Sequence, residues 1–423
     1  MTNPKFSPYN YCVYLNNQPY IDNDGMIFSC CKNRKTRLPY NIKDMPLIDM
    51  FNTPEFIETR KQMAEGIMPF GCEPCYSAEA KGQNNSFRIR SLKGVRFRDH
   101  GPVKTLPEGM DQSIYIKPYP DTKIRALDLR LGSTCNLTCV MCYPSDSNKW
   151  HKIFEDYART VNKETENAIN ITMNRYDPKK LNWAEDPKAW DNIFCSIDDD
   201  VKRIYLAGGE PFYIRGFEDY LVELYNKCPQ AFIEINTNAT RLLPEKYLKK
   251  LKGAKLGIRV SIDGLGTVDE YVRQGTKWDE KVQVIDQYQK YFDITSFDIT
   301  VSSLNVHNLP DTLQWIKDNY INENEFPTIL VRPVISQKGL SINVLPLHER
   351  QEILNRLNAL LDNWPNYKRK LNINEVIAKL SEEQVDEIDK LGRIINFWEK
   401  SSKISYENIN PKLIRWVHAN SSS

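Results

Sequence analysis

The sequence predicts an α/β fold: a parallel sheet, open or curled into a partial barrel, with a small cysteine-rich α+β unit before it and a helical extension after it. Three features carry this. From about residue 124, short apolar runs rich in β-branched residues alternate with longer amphipathic segments, the rhythm of strands joined by crossover helices. Residues 1–95 combine short runs and turns with half of the ten cysteines. Beyond Val334 the apolar residues keep mostly helical spacing.

At 423 residues the chain has room for two or three domains, and 41% apolar composition allows a sizeable core. The expected boundaries are 1–95 for the cysteine-rich unit, 96–123 for a linker, 124–335 for the sheet and 336–423 for the extension. A net charge of +2 supplies no bulk field toward an anionic membrane or nucleic acid, which argues against RNA as a substrate. The opening residues lack an apolar leader and no run is long enough to span a bilayer, so a cytoplasmic protein is expected. In a reducing compartment ten thiols read as metal ligands or catalysts, and five scattered histidines leave a pure thiolate ligand set.

In chain order, the first unit holds one helix around 55–66. The runs 124–131, 201–208, 232–238, 256–263, 297–305 and 327–334 read as strands, short and β-branched. Helical spacing marks 217–228, 244–253, 278–292 and 309–320 between them, which requires parallel neighbours. Residues 145–200 are too long for a plain connection and are expected to be a helical insertion over one mouth of the sheet. The final helices, from 345–364 to the region of Trp416, carry an apolar stripe that must pack on the barrel or on the N-terminal unit.

The decisive segment is LRLGSTCNLTCVMC, where a strand hands over to Cys135, Cys139 and Cys142 at C-x3-C-x2-C spacing. Three thiolates in such a loop can take three corners of a four-iron cluster and leave one iron open, as a catalytic centre needs. A closed zinc knot lacks its fourth Cys or His nearby. Here the chain resembles the radical S-adenosylmethionine (SAM) superfamily, whose hallmark is this triplet in the loop after the first strand of a partial (β/α)6 barrel. The resemblance covers residues 124–335 and implies that Cys135, Cys139 and Cys142 bind a catalytic [4Fe–4S] cluster that chelates SAM. In the family an aromatic residue before the last cysteine touches the adenine, and Met141 stands there instead.

The second strand ends in Ala-Gly-Gly-Glu-Pro, where Gly208 and Gly209 expose backbone and Glu210 offers a carboxylate to an ammonium group. Alone this is a turn. By resemblance Gly208, Gly209, Glu210 and Pro211 bind the amino group of the methionine moiety. The third and fourth strands end in polar clusters, Asn236-Thr237-Asn238 and Ser261-Ile262-Asp263, which suit helix N-caps or a polar ligand. The resemblance makes Asn238, Ser261 and Asp263 candidates for the ribose and carboxylate of SAM, with Asn305 a further one. Arg273 either neutralises that carboxylate or is a solvated helix arginine.

Cys12, Gly25 and Cys30 follow a C-x12-G-x4-C pattern that places two thiols on a hairpin turning at DNDG, with Cys31 an alternative ligand to Cys30. Cys72 and Cys75 complete a four-thiolate set, which can hold an auxiliary [4Fe–4S] cluster or a zinc ion. The spacing resembles the twitch domain related to SPASM, although in the family that domain follows the barrel. Cys195 and Cys228 are expected to be small core residues, and the basic segment 77–94 to guide substrate or link domains.

The resemblance implies an oxidoreductase or modifying enzyme that cleaves SAM reductively to methionine and a 5′-deoxyadenosyl radical, which takes hydrogen from a substrate. A peptide or protein side chain is the favoured substrate, a sugar or other small molecule the alternative. A flavodoxin or ferredoxin would supply the electron, and the auxiliary cluster would accept the one left over. The rival from another class is a non-catalytic scaffold with structural zinc at both sites.

Overall fold

A computed structural model describes residues 11–33, 35–82, 86–89, 123–151, 153, 181–321, 327–364 and 371–421. The expected linker and most of the expected insertion lie outside them. The strands are β1 (Tyr20–Ile21), β2 (Ile27–Phe28), β3 (Ala126–Arg130), β4 (Thr138–Cys139), β5 (Arg203–Ala207), β6 (Phe232–Thr237), β7 (Leu256–Ser261), β8 (Arg273–Gln274), β9 (Asp293–Val301), β10 (Thr328–Pro333) and β11 (Leu371–Asn372).

All six predicted runs form strands, and β3, β5, β6, β7, β9 and β10 stand side by side in chain order, every pair parallel. Leu127, Leu129, Ile204, Leu206, Ile233, Ile235, Ile258 and Val260 are fully buried in their central part, as a parallel sheet covered by helices requires. The N-terminal part contributes α1 (Val13–Asn17), α2 (Leu47–Phe51), α3 (Pro54–Ala64) and α4 (Glu73–Ala80). The sheet's own helices are α5 (Pro187–Phe194), α6 (Phe217–Lys227), α7 (Glu245–Lys250), α8 (Thr267–Val272), α9 (Trp278–Gln289) and α10 (Leu309–Tyr320). Their ends follow local chemistry: Asp186 caps α5 by accepting from Lys188 N–H, and α6 has Glu218 and Asp219 in its first turn and Lys227 in its last.

The cysteine-rich unit joins the sheet. β1 pairs parallel with β3, placing Tyr20 opposite Asp128 and Ile21 opposite Leu129, and β2 pairs antiparallel with β1. The hairpin thereby covers a strand edge that would otherwise be open. At the far edge β11 adds to β10. The extension supplies α11 (Leu347–Asp362), α12 (Asn374–Ser381), α13 (Ile388–Glu399) and α14 (Pro411–Asn420). Its stripe packs on the sheet domain: Trp398 donates to the carbonyl of Tyr271 at 2.9 Å and lies tilted against Trp150 just beyond the cysteine loop.

Candidate active site and the two thiol sets

The cysteine loop leaves β3 through Gly132 and is tied down at several points. Cys142 N–H donates to Cys139 O at 2.9 Å, and Leu137 N–H to the Cys135 sulfur at 3.4 Å. Ser147 Oγ donates to Leu137 O at 2.7 Å, and Trp150 Nε1 to Cys139 O at 3.1 Å. β4, which contains Cys139, pairs antiparallel with β8. Burial pushes the Cys135 thiol up to about 12, with Cys139 adding to it. Cys142 rises well above its ordinary value by burial, with Asp146, Cys139 and Cys135 adding to it. The three thiols thus oppose one another's ionisation.

The cysteine sulfurs are spread more widely than a single zinc ion requires. Thiolates about 2.3 Å from a tetrahedral zinc stand roughly 3.8 Å apart. Among the described residues no three cysteine sulfurs lie within 4.8 Å of one another; only the exposed carboxylates of Asp198 and Asp199 and the half-buried one of Asp200 are gathered that tightly.

The GGEP turn is pressed onto this loop. Glu210 N–H donates to Thr134 O at 2.7 Å. Gly209 has φ +48, and a Cβ there would sit 2.3 Å from the same carbonyl, so only glycine allows the approach. The Glu210 carboxylate, offered by the sequence to an ammonium group, faces inward: it accepts from Thr237 Oγ1 at 2.8 Å, Asn238 N–H at 2.6 Å and Phe212 N–H at 3.3 Å. Burial pushes it up to about 7 despite these donors. Pro211 opens a short 3-10 turn behind it. Met141 is half-buried against the core.

The polar strand ends also engage one another. Asn238 Nδ2 donates to Asn136 Oδ1 at 2.9 Å, linking β6 to the cysteine loop. Ser261 Oγ reaches Asn236 at 3.5 Å. Asp263 is buried and accepts from Arg273 Nη1 at 2.6 Å and Thr300 N–H at 2.6 Å. Arg273 is therefore neither solvated nor free for an outside carboxylate through that nitrogen. Asn305 buckles the end of β9, donating to Asp263 O and Thr300 O and accepting from Ser302, which makes it a structural residue. Cys228 is buried as expected, but Cys195 is exposed, because it ends α5 on the outer side.

In the N-terminal set, Cys12 precedes α1, Cys30 follows β2, Cys72 precedes α4 and Cys75 lies within it. Asn33 joins the two halves, donating through Nδ2 to Ser29 Oγ at 3.0 Å and to Phe70 O at 3.1 Å. Gly71, with φ +83, lets Asn33 lie where its own Cβ would be. Burial lifts Cys12, Cys30 and Cys72 each to about 12, with Cys72 and Cys75 adding to Cys12, Cys12 to Cys30, and Cys30 to Cys72.

Two positioning residues carried no signal in the sequence. Asn23, in the hairpin turn, donates to Ser145 O at 2.9 Å and Asp146 Oδ1 at 2.7 Å, bringing the hairpin against the segment after Cys142. Arg60, fully buried in α3, donates to Leu15 O at 2.9 Å and Asn52 Oδ1 at 2.9 Å and stacks on Phe51 at 4.4 Å, which holds α1 behind Cys12. Single residues without periodicity give no warning of such roles.

Residues 129–316 match the family model described as Radical SAM superfamily. They form a radical SAM domain. Domains of this superfamily use a [4Fe–4S] cluster and SAM. Among curated relatives, an uncharacterised protein of Methanocaldococcus jannaschii is 25% identical over 55% of this chain and 71% of its own length. A GTP 3′,8-cyclase of Nautilia profundicola is 22% identical over 49% of this chain and 60% of its own length. Among solved structures, anSMEcpe with bound AdoMet gives a TM-score of 0.36 at 16% identity, covering 56% of this chain and 60% of that one. SuiB of Streptococcus suis bound to S-adenosylmethionine gives 0.36 at 11% identity, covering 84% and 70%. At these TM-scores the likenesses carry no argument about substrate or partner. No helix among the described residues is long and apolar enough to cross a membrane.

Proposed function

We propose that the chain is a radical SAM enzyme in which Cys135, Cys139 and Cys142 hold the SAM-binding [4Fe–4S] cluster and Cys12, Cys30, Cys72 and Cys75 hold an auxiliary one. The observation that carries this is a C-x3-C-x2-C loop fixed by its own hydrogen bonds with a GGEP turn packed directly on it. Once bound, the cluster and SAM together supply reductive cleavage of the sulfonium to a 5′-deoxyadenosyl radical, chemistry that belongs to the cofactors.

The protein's part is to bind, orient and exclude water. Gly208 and Gly209 bring bare backbone to the methionine moiety, and Pro211 closes the turn. The Glu210 carboxylate keeps that turn rigid by bonding Thr237 and Asn238. It accepts three bonds, and a carboxylate has about four lone-pair sites, which leaves one for an ammonium group. Asn238, Ser261 and Asp263 line the same strand ends, and Met141 presents a flexible apolar surface to the adenine. For the N-terminal set, Cys31 stands next to Cys30 as its alternative ligand.

We infer a peptide or protein side chain as substrate, because the N-terminal cysteine spacing resembles the twitch and SPASM units of enzymes that modify peptides. The cyclase relatives favour a second reading, a purine nucleotide such as GTP. Anaerobic purification with iron and sulfide quantitation, dithionite reduction and an assay for 5′-deoxyadenosine tests the chemistry. About eight irons per chain and nucleoside formation lost in Cys142→Ala are expected. Zinc without nucleoside would overturn the assignment. Deuterium in the nucleoside from a perdeuterated protein fraction, rather than from deuterated GTP, decides between the substrates.

A further inference from the structure

Beneath the cysteine loop lies a chain of four buried charges. Lys281 of α9 and Asp269 of α8 form an ion pair at 2.7 Å with both side chains 0% exposed. Asp269 Oδ1 accepts the backbone N–H of Asp263 at 2.8 Å, and Asp263 takes Arg273 Nη1 at 2.6 Å. At the end of the chain the Arg273 Nε–H is buried and has no hydrogen-bond partner among the described residues. Buried ion pairs add little net stability, because desolvation offsets their attraction. Four such charges at one place therefore call for a role other than holding the fold.

The β4–β8 ladder places Arg273 directly opposite Cys139. Val140 N–H donates to Val272 O at 2.8 Å, so the neighbouring Cys139 and Arg273 form the non-hydrogen-bonded pair. Side chains of such a pair share one face, with Cβ atoms about 4.5–5.5 Å apart. Burial works against the guanidinium charge, but Cys139, Asp263 and Asp269 more than restore it. Cluster potentials respond to local net charge and to hydrogen bonds on sulfur, both of which a guanidinium at this position alters.

We propose that Arg273 is a positioning residue for the cluster: pinned by Asp263 and backed by the Asp269–Lys281 pair, it sets its charge and its Nε–H against the Cys139 thiolate and raises the reduction potential, easing entry of the first electron. This rests on Cys135, Cys139 and Cys142 being the cluster ligands.

The test is an EPR-monitored redox titration of the reconstituted full chain as wild type, Arg273→Gln and Arg273→Lys, alongside iron content and SAM binding. Arg273→Gln is expected to load iron and to titrate at a more negative potential. Arg273→Lys, which keeps the charge on an unforked arm, falls between it and wild type. Wild-type potentials in both variants overturn the inference, as does a loss of SAM affinity with unchanged potential, which would assign Arg273 to the SAM carboxylate. If Arg273→Gln fails to load, Arg273→Lys decides by the same criterion. A wild-type chain without iron would instead remove the ligand assignment itself.

Discussion

At the scale of single residues, close approach is the theme. Gly209 permits a backbone contact that no side chain allows, so Gly209→Ala must push the GGEP turn off Thr134 O. With positive φ strain and steric overlap combined, a loss of roughly 1–3 kcal/mol is expected, read as a lower urea midpoint, together with reduced iron retention. Arg60 acts by a different route. Arg60→Met removes the partner of the Leu15 and Phe51 carbonyls deep in the N-terminal part and should cost about 2–4 kcal/mol by chemical denaturation. The cysteines and GGEP were legible because their chemistry is written in contiguous residues. The Asp263–Arg273 pair was not, since Asp263 alone suits a ligand and Arg273 either a ligand or solvent, and only the fold shows that they meet each other.

Among the elements, the link from β9 to α10 carries a pH effect. His307 is held down to about 4 by burial, against the pull of Asp311, compared with an ordinary value of 6.5. Above about 6.5 neither state takes the proton; as pH falls toward 4 the unfolded chain binds one that the native state refuses, and stability declines. Thermal unfolding of the apoprotein should show a slope over this window that His307→Gln reduces. α13 is the second case. Trp398 packs on Trp150, whose Nε1 holds Cys139 O, so Trp398→Ala should cost about 3–5 kcal/mol and loosen the cysteine loop, seen as slower cluster reconstitution. Strands and helices of the sheet were predicted in order because their periodicities are local. The C-terminal stripe does not name its partner, because an amphipathic face states that it is covered without saying by what.

In the molecule as a whole, the hairpin before Cys30 and the strand before the cysteine loop belong to one sheet, tied by the β1–β3 pairing and by Asn23. Cys72→Ser is expected to lose about four of eight irons and keep reductive SAM cleavage, measured by iron content and 5′-deoxyadenosine; loss of both together would mean the two sets fold as one unit. The α/β class, the strand order, the loop triplet and the turn that accompanies it follow from the sequence by itself, since each depends on residues within one or two elements. Tertiary structure alone decided that the cysteine-rich hairpin extends the sheet, that Glu210 turns inward, that Asn305 is a buckle, and that Lys281 and Asp269 lie under Arg273. Those facts depend on residues far apart in the chain whose burial and pairing are settled only when the sheet and its helices close around them.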